Sequence, residues 1–371
     1  MSNRGSTDIV VHAVCSEDLP EGKEGCLYGE LYRVNLDTGK ISKCRGRKLY
    51  FDDELTSMAI SGDIIYILGG AKEDYPEYVK DKHPKHSRVS YIDLASDDPE
   101  WMQLPECITP LLTVPGVTFK GNLFVFGGNF EEILSDDSWQ FYGEKLCLPL
   151  QRHDSWRIVP CRPLPPPEAN VIHCPKPNNV STPVVVDSKN DRILVHFLTI
   201  NSLYAYYPDR IPRWDFLFFI GWSRVVGVFD DMILFHSRGY FHAFDLQNGS
   251  EINDIIISAD FPSNLLYLKY DAIIPLSPPG TFCLAVYYPE FNLPDITHLV
   301  FAKFRVLRKT CGQIHIIFIS HHNLALDCKA CVINYVPIAN LEDAHNPSKE
   351  DSCGEAEQPG LLGIYVGTHR I

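Results

Sequence analysis

Gly62-Asp63-Ile64-Ile65-Tyr66-Ile67-Leu68-Gly69-Gly70 and Gly121-Asn122-Leu123-Phe124-Val125-Phe126-Gly127-Gly128 are two copies of one pattern, a turn, a buried strand and a glycine pair. Their glycine pairs lie 58 residues apart. Trp101, Trp156 and Trp214 follow at intervals of 55 and 58, and Tyr91 and Tyr204 each precede a tryptophan by ten residues. A period slightly above 50 residues with several strands in each copy predicts a propeller, because a sandwich has no reason to repeat at that length.

Outward from these copies the pattern loosens but keeps its rhythm. Asn190-Asp191 leads into Arg192-Ile193-Leu194-Val195-His196, Asp230-Asp231 into Met232-Ile233-Leu234-Phe235, and Gly280 into Thr281-Phe282-Cys283-Leu284-Ala285-Val286. Asp37-Thr38-Gly39-Lys40 and Gln247-Asn248-Gly249-Ser250 join further strand pairs and have hairpin chemistry. No amphipathic helix of useful length is present. The count gives six four-stranded blades near 8–44, 55–105, 111–164, 170–220, 222–259 and 265–338. The first is one strand short, and Ala330–Ile338 is surplus to the last. That late strand is expected to complete blade 1 and close the ring between the two ends of the chain.

These residues resemble the kelch repeat: Gly69, Gly70, Gly127 and Gly128 as the double glycines, and Tyr91, Trp101, Trp156, Tyr204 and Trp214 as the spaced aromatics. The physical logic is independent of the resemblance. Glycine permits an abrupt exit from the crowded end of a strand. A large aromatic on an outer strand fills the wedge between neighbouring blades. The resemblance implies an all-β kelch-type propeller over 1–338, similar to the propeller part of plant F-box/kelch proteins without an F-box. Residues 339–371 are expected to form a mostly disordered acidic tail.

Composition narrows the function. The chain has 371 residues, 45% of them hydrophobic, and a net charge of −14. Acidity disfavours nucleic acid, whose phosphates need a concentrated basic surface. The short basic cluster of Lys43, Arg45, Arg47 and Lys48 reads as a solvated loop. No apolar leader or membrane-length run is present, and twelve irregularly spaced cysteines read as reduced thiols of a cytosolic or nuclear protein. The sequons at Asn179 and Asn248 are then without consequence.

Each reactive cluster has a chemical reading and a structural one. His321-His322 with Cys328 and Cys331 has the donor types of a zinc site, His322, Cys328 and Cys331 being its weak candidate ligands. Neighbouring residues of a strand point to opposite faces, so both histidines do not serve one ion. Cys107, Cys161 and Cys174, near His173, read as structural thiols. Galactose-oxidase-like enzymes hold copper with Tyr and His, but no partnered set is marked here. Plant specifier proteins use Glu-x-x-x-Asp-x-x-x-His for iron; Glu132 and Asp136 begin that pattern, and Gln140 stands where His is required. Neither glycine pair opens a helix, so phosphate loops are absent. No catalytic residue and no cofactor is assigned.

The remaining reading is a non-catalytic protein-binding adaptor or scaffold, with a metal-dependent kelch-like enzyme of specifier or oxidase type as the alternative. A protein partner is expected, and recruitment to a ubiquitin ligase would come through another chain. Two long connections between second and third strands share one face of the disc. They carry Asp74, Tyr75, Tyr78, Lys82, His83, Lys85, His86 and Arg88 in the first, and Phe130, Glu131 and Glu132 in the second. Loops of such length on a rigid scaffold are favoured binding positions.

Overall fold

In the computed structural model the described residues are 7–17, 26–44, 48–51, 56–69, 89–105, 107, 115–126, 143–148, 155–159, 184–197, 202–208, 213–219, 227–237, 240–266, 271–290, 293–310, 312–328 and 330–337. They form six small sheets arranged as a six-bladed β-propeller. The helical content among them is one four-residue helix, Ser263–Leu266, and a short turn of 3₁₀ helix at Ser188–Asn190.

Blade 1 closes the ring as its strand count demands. Its innermost strand is the late segment Ala330–Pro337, followed outward by Asp8–Glu17, Cys26–Asn35 and Lys40–Lys43. The two ends of the chain pair antiparallel, from Ile9 opposite Pro337 to Cys15 opposite Ala330. The ladder slips between Val14 and Cys15, so one residue of the late strand is looped out there. A short segment, Leu49–Phe51, also pairs with Cys26–Asn35.

Blades 2 to 5 are built in simple sequence order. The second strands are Ile64–Leu68, Asn122–Phe126, Arg192–Phe197 and Met232–Ser237. Blade 6 has Asp271–Leu276, Thr281–Glu290, Leu293–Arg308 and Ile314–Leu326, with longer outer strands than any other blade. One expected boundary moves. The segment 255–259, counted with blade 5, contributes Ile255–Ile257, which pairs parallel with Ile314–Ile316 of blade 6. The last strand of blade 5 is only Ser250–Glu251, whereas the outer strand of blade 6 offers a long edge.

Strand residues alternate between the two neighbouring seams, and this sorts the core. The blade 3/4 seam gathers Val117, Phe124, Phe126, Val186, Ile193, Tyr204 and Tyr206. Trp214 in the fourth strand of blade 4 meets Phe126 edge-on at 5.7 Å and Tyr206 at 4.9 Å. Trp156, beside the fourth strand of blade 3, is buried and its indole N–H donates to the Pro105 carbonyl at 2.7 Å. Trp214 therefore lies in an outer strand and Trp156 immediately before one, each packed against a neighbouring blade. Gly69 has φ +78°, the backbone conformation an exit from the second strand requires there.

The face carrying the first-to-second and third-to-fourth turns is stitched by charges. Lys120 pairs with Asp191 at 2.9 Å between blades 3 and 4, and Lys189 with Asp231 between blades 4 and 5. Arg308 reaches Asp245 at 2.5 Å between blades 5 and 6, and Lys303 reaches Asp37 at 2.7 Å between blades 6 and 1. Three of these acids or their neighbours, Asp191, Asp230 and Asp231, have positive φ, which an Asp side chain tolerates better than most.

Candidate functional site: a buried thiol pair at the ring closure

The opposite face holds the second-to-third and fourth-to-first connections. There the blade 6/1 seam differs from the others. Cys328 lies just past the outer strand of blade 6, on the way to the strand that closes blade 1, and Cys15 lies near the end of the second strand of blade 1. Both are buried in the same cluster, with Cys328 6% exposed and Cys15 inaccessible. Thr297 fixes the connection: its hydroxyl donates to the Cys328 carbonyl at 2.9 Å and accepts from the Ala330 N–H at 3.0 Å. Both cysteines are free thiols, and Cys15 is the neighbour that most favours ionisation of Cys328. Cys15 also lies 3.7 Å from the Ala13 carbonyl.

A polar chain leads from this pair to solvent. Glu30 and Tyr32 are two apart on the third strand of blade 1 and so share a face with Cys15, Ala13 and Val11. The Tyr32 phenol donates to a Glu30 carboxylate oxygen at 2.5 Å and packs in the same cluster as Cys328. Lys43, exposed at the end of the fourth strand, pairs with the other oxygen. Lys48 adds positive charge nearby and sits 3.7 Å over the Tyr28 ring.

The electrostatics follow from this order. The Cys328 thiol is held below the usual range chiefly by its polar neighbour Cys15 and less by Tyr32, against burial. Burial would raise the Glu30 carboxyl, but hydrogen bonds from Lys43 and Tyr32 bring it below the ordinary carboxylate value. Tyr32 is pushed upward by burial and by its bond to Glu30, so it keeps its proton. Burial alone raises other thiols, Cys44 to about 11 and Cys283 further. Among the described thiols whose shift is resolved, Cys328 alone is shifted toward ionisation, the condition for sulfur nucleophilicity.

The sequence-derived candidates fall differently. Cys328 was marked for zinc, yet His322 sits elsewhere in the seam, bonded through Nε2 to the Leu36 carbonyl at 3.0 Å and pressed against Gly39. The Cys331 backbone lies in the closing strand. Among the described residues no group of three or more His, Cys, Asp or Glu side chains is placed to hold a metal. Asp74, Tyr75, Tyr78, Lys82, His83, Lys85, His86, Phe130, Glu131 and Glu132 lie outside the described residues, as do Arg88, Gly70, Gly127, Gly128, Cys161, Cys174 and the 339–371 segment. Cys15, Glu30 and Tyr32 were missed, because nothing in a linear pattern links them to a cysteine some 300 residues away.

No family model matches the chain, and no curated protein matches it. Solved propellers do. A periplasmic gluconolactonase from Pseudomonas aeruginosa matches at TM-score 0.44 and 10% identity, over 88% of this chain and 91% of that one. A 6-phosphogluconolactonase-like protein from Bacteroides uniformis matches at 0.44 and 11%, over 89% and 99%. A streptogramin B lyase matches at 0.37 and 8%, over 84% and 88%. The expectation of a non-catalytic adaptor is corrected here: the three propellers just described are named as enzymes or enzyme-like proteins, and not for kelch repeats. At such scores the activities in those names stay with those proteins. The chain is a six-bladed β-propeller, and no helix among its described residues is long and apolar enough to cross a membrane.

Proposed function

We propose that this propeller is a thiol-dependent oxidoreductase whose reactive group is the Cys15–Cys328 dithiol. One observation carries the reading: two free thiols are buried in one core cluster beside a Tyr–Glu–Lys chain that reaches solvent. Two adjacent thiols can surrender two electrons and become a disulfide. The phenol and carboxylate give the Cys328 proton somewhere to go, and an ionised sulfur is the attacking species in such chemistry. The twelve cysteines of a chain read as cytosolic would otherwise remain reduced, so oxidation confined to this pair would be a working step. The kelch-type reading of the repeats rests on their Gly-Gly and Tyr/Trp spacing and is compatible with this chemistry, since a fold of this kind does not fix function.

The test is a redox titration of the purified protein in reduced and oxidised dithiothreitol, with peptide mapping by mass spectrometry. A single two-electron transition linking Cys15 to Cys328, lost in both Cys15→Ser and Cys328→Ser, is the expected result. If the pair stays reduced under dithiothreitol-oxidising conditions and with diamide, a small thiol oxidant, the reading is wrong.

A further inference from the structure

We infer that the outer edge of blade 6 pairs with its own counterpart in a second copy of this chain, the two Ile314–Leu326 strands running antiparallel across a two-fold axis. The inference is independent of the dithiol reading. It starts from an open edge. Ile314–Leu326 is 13 residues long, but its outer neighbour Ile255–Ile257 reaches only from Ile314 to Ile316. Ser258 adds a last link, its hydroxyl accepting from the Phe318 N–H at 2.9 Å. Among the described residues no strand pairs with the outer side of 319–326. A row of open N–H and C=O groups is a template for another strand. The side chains along it are open too. Of the eight large hydrophobic side chains exposed among the described residues, Ile256, Ile317 and Ile319 belong to this edge, at 40–48% exposure. His321, Asn323 and Ala325 beyond them are also exposed. The outer strands of the two neighbouring blades have only two and four residues, too few to shield its length.

Charge decides the occupant. Ile314–Leu326 holds no Asp, Glu, Lys or Arg, in a chain with 22% charged residues and a net charge of −14. Every other outer strand longer than two residues carries a charge: Lys40 and Lys43 in blade 1, Arg157 in blade 3, Arg213 and Asp215 in blade 4. Such charges are how a monomer keeps its edges from pairing. A foreign strand could meet a charged edge with the opposite charge, so it gives no reason for complete neutrality. A two-fold axis does. Each residue near the axis meets itself or a near neighbour in the other copy, and a charge there meets its own sign. Two acidic chains also need a neutral strip along which to touch. The ladder with Leu293–Arg308 slips at Ile319, so the axis belongs in the regular stretch 320–326.

The test is light scattering on the reduced full-length protein after size-exclusion chromatography, across the micromolar range, with amide hydrogen exchange in parallel. Expected are twice the mass of one chain, and slower exchange over 319–326 in concentrated than in dilute protein. Asn323→Glu combined with Ala325→Glu, both at exposed positions, should weaken association roughly tenfold or more. Tyr50→Glu combined with Tyr240→Glu adds the same charge at exposed positions elsewhere and should leave association unchanged. If the first variant fails to fold by circular dichroism, the concentration dependence of exchange over 319–326 in the wild type decides instead, and its absence overturns the inference. A monomeric wild type, a dimer that the Asn323 and Ala325 variant leaves intact, or equal dissociation by both variants overturns it as well.

Discussion

The blade 3/4 seam and the blade 6/1 seam join neighbouring blades by opposite means. In the first, Phe124, Phe126, Tyr206 and Trp214 fill the wedge with rings, in edge and tilted contacts at 4.9–5.9 Å, with Tyr204 buried beside them. In the second, Ile9, Val11, Ile333 and Phe301 supply an apolar floor, but the end toward the fourth-to-first connection holds two thiols, a phenol and a carboxylate. Rings stabilise by burying area and by ring geometry. Buried polar groups return little net stability and are costly when left unmade. The second seam therefore draws less cohesion from this end, which sits where the first and last strands must meet in any case.

The strongest way to break the comparison is to empty the ring-filled seam. Phe126→Ala is expected to cost about 3–5 kcal/mol, the usual range for deleting a buried aromatic, with Cys328 reactivity unchanged. Urea unfolding followed by circular dichroism, beside iodoacetamide labelling of Cys328, reads both. A cost below about 1 kcal/mol would mean that the seam does not hold the blades as described.

A second effect concerns one repeated position. The fifth residue of every second strand is buried: His12, Leu68, Phe126, His196, His236 and Ala285. Three blades place an imidazole where the others place an apolar side chain. Burial drives the His12 pKa down to about 3 and that of His196 to about 4. Neither His196 nitrogen has a hydrogen-bond partner among the described residues. A depressed folded pKa means that the unfolded chain binds protons which the native state refuses. Stability is thus fully present above the unfolded value near 6.5 and falls as pH drops from there toward 4, by about 3 kcal/mol for His196 alone at roughly 1.4 kcal/mol per unit. His196→Leu, which copies blade 2, should remove that part of the acid sensitivity. Equal acid sensitivity of variant and wild type in urea titrations at pH 7 and pH 4.5 would refute the assignment.

Smaller still is the stability effect of Tyr32→Phe, about 1 kcal/mol for one hydrogen bond to a charged group that remains paired with Lys43. Its larger effect is on sulfur: Tyr32 is among the neighbours that favour ionisation of the Cys328 thiol, so without the phenol the thiol pKa should rise and alkylation at neutral pH slow. A variant that unfolds readily but alkylates as before would reverse the contrast between the seams. The least effect is expected from Lys303→Met on the charged face. Its partner Asp37 is substantially exposed, so the loss should be a few tenths of a kcal/mol, and it should shrink further in salt. A salt-insensitive loss of several kcal/mol would show that this ion pair closes the ring.

Much of this was legible before any coordinates. Turn, strand and glycine pair in Gly62–Gly70 recur by chain chemistry alone, and the tryptophan spacing follows because each blade must fill the same wedge. The need for a late strand to complete blade 1 came from counting, and the Ala330–Pro337 pairing with the second strand of that blade meets it. The parallel pairing of Ile255–Ile257 with blade 6 was hidden, since a three-residue strand joins whichever edge is near.

By itself, then, the sequence determined the repeat, the number of blades and where the ring closes, because those depend on local turns and on alternation along single strands. Only the tertiary structure decided that Cys15, Glu30, Tyr32 and Cys328 form one polar cluster, and that His322 does not join it. A closed ring brings its first and last strands into contact without any periodic signature, so the chemistry that it assembles there is written in no single stretch of chain.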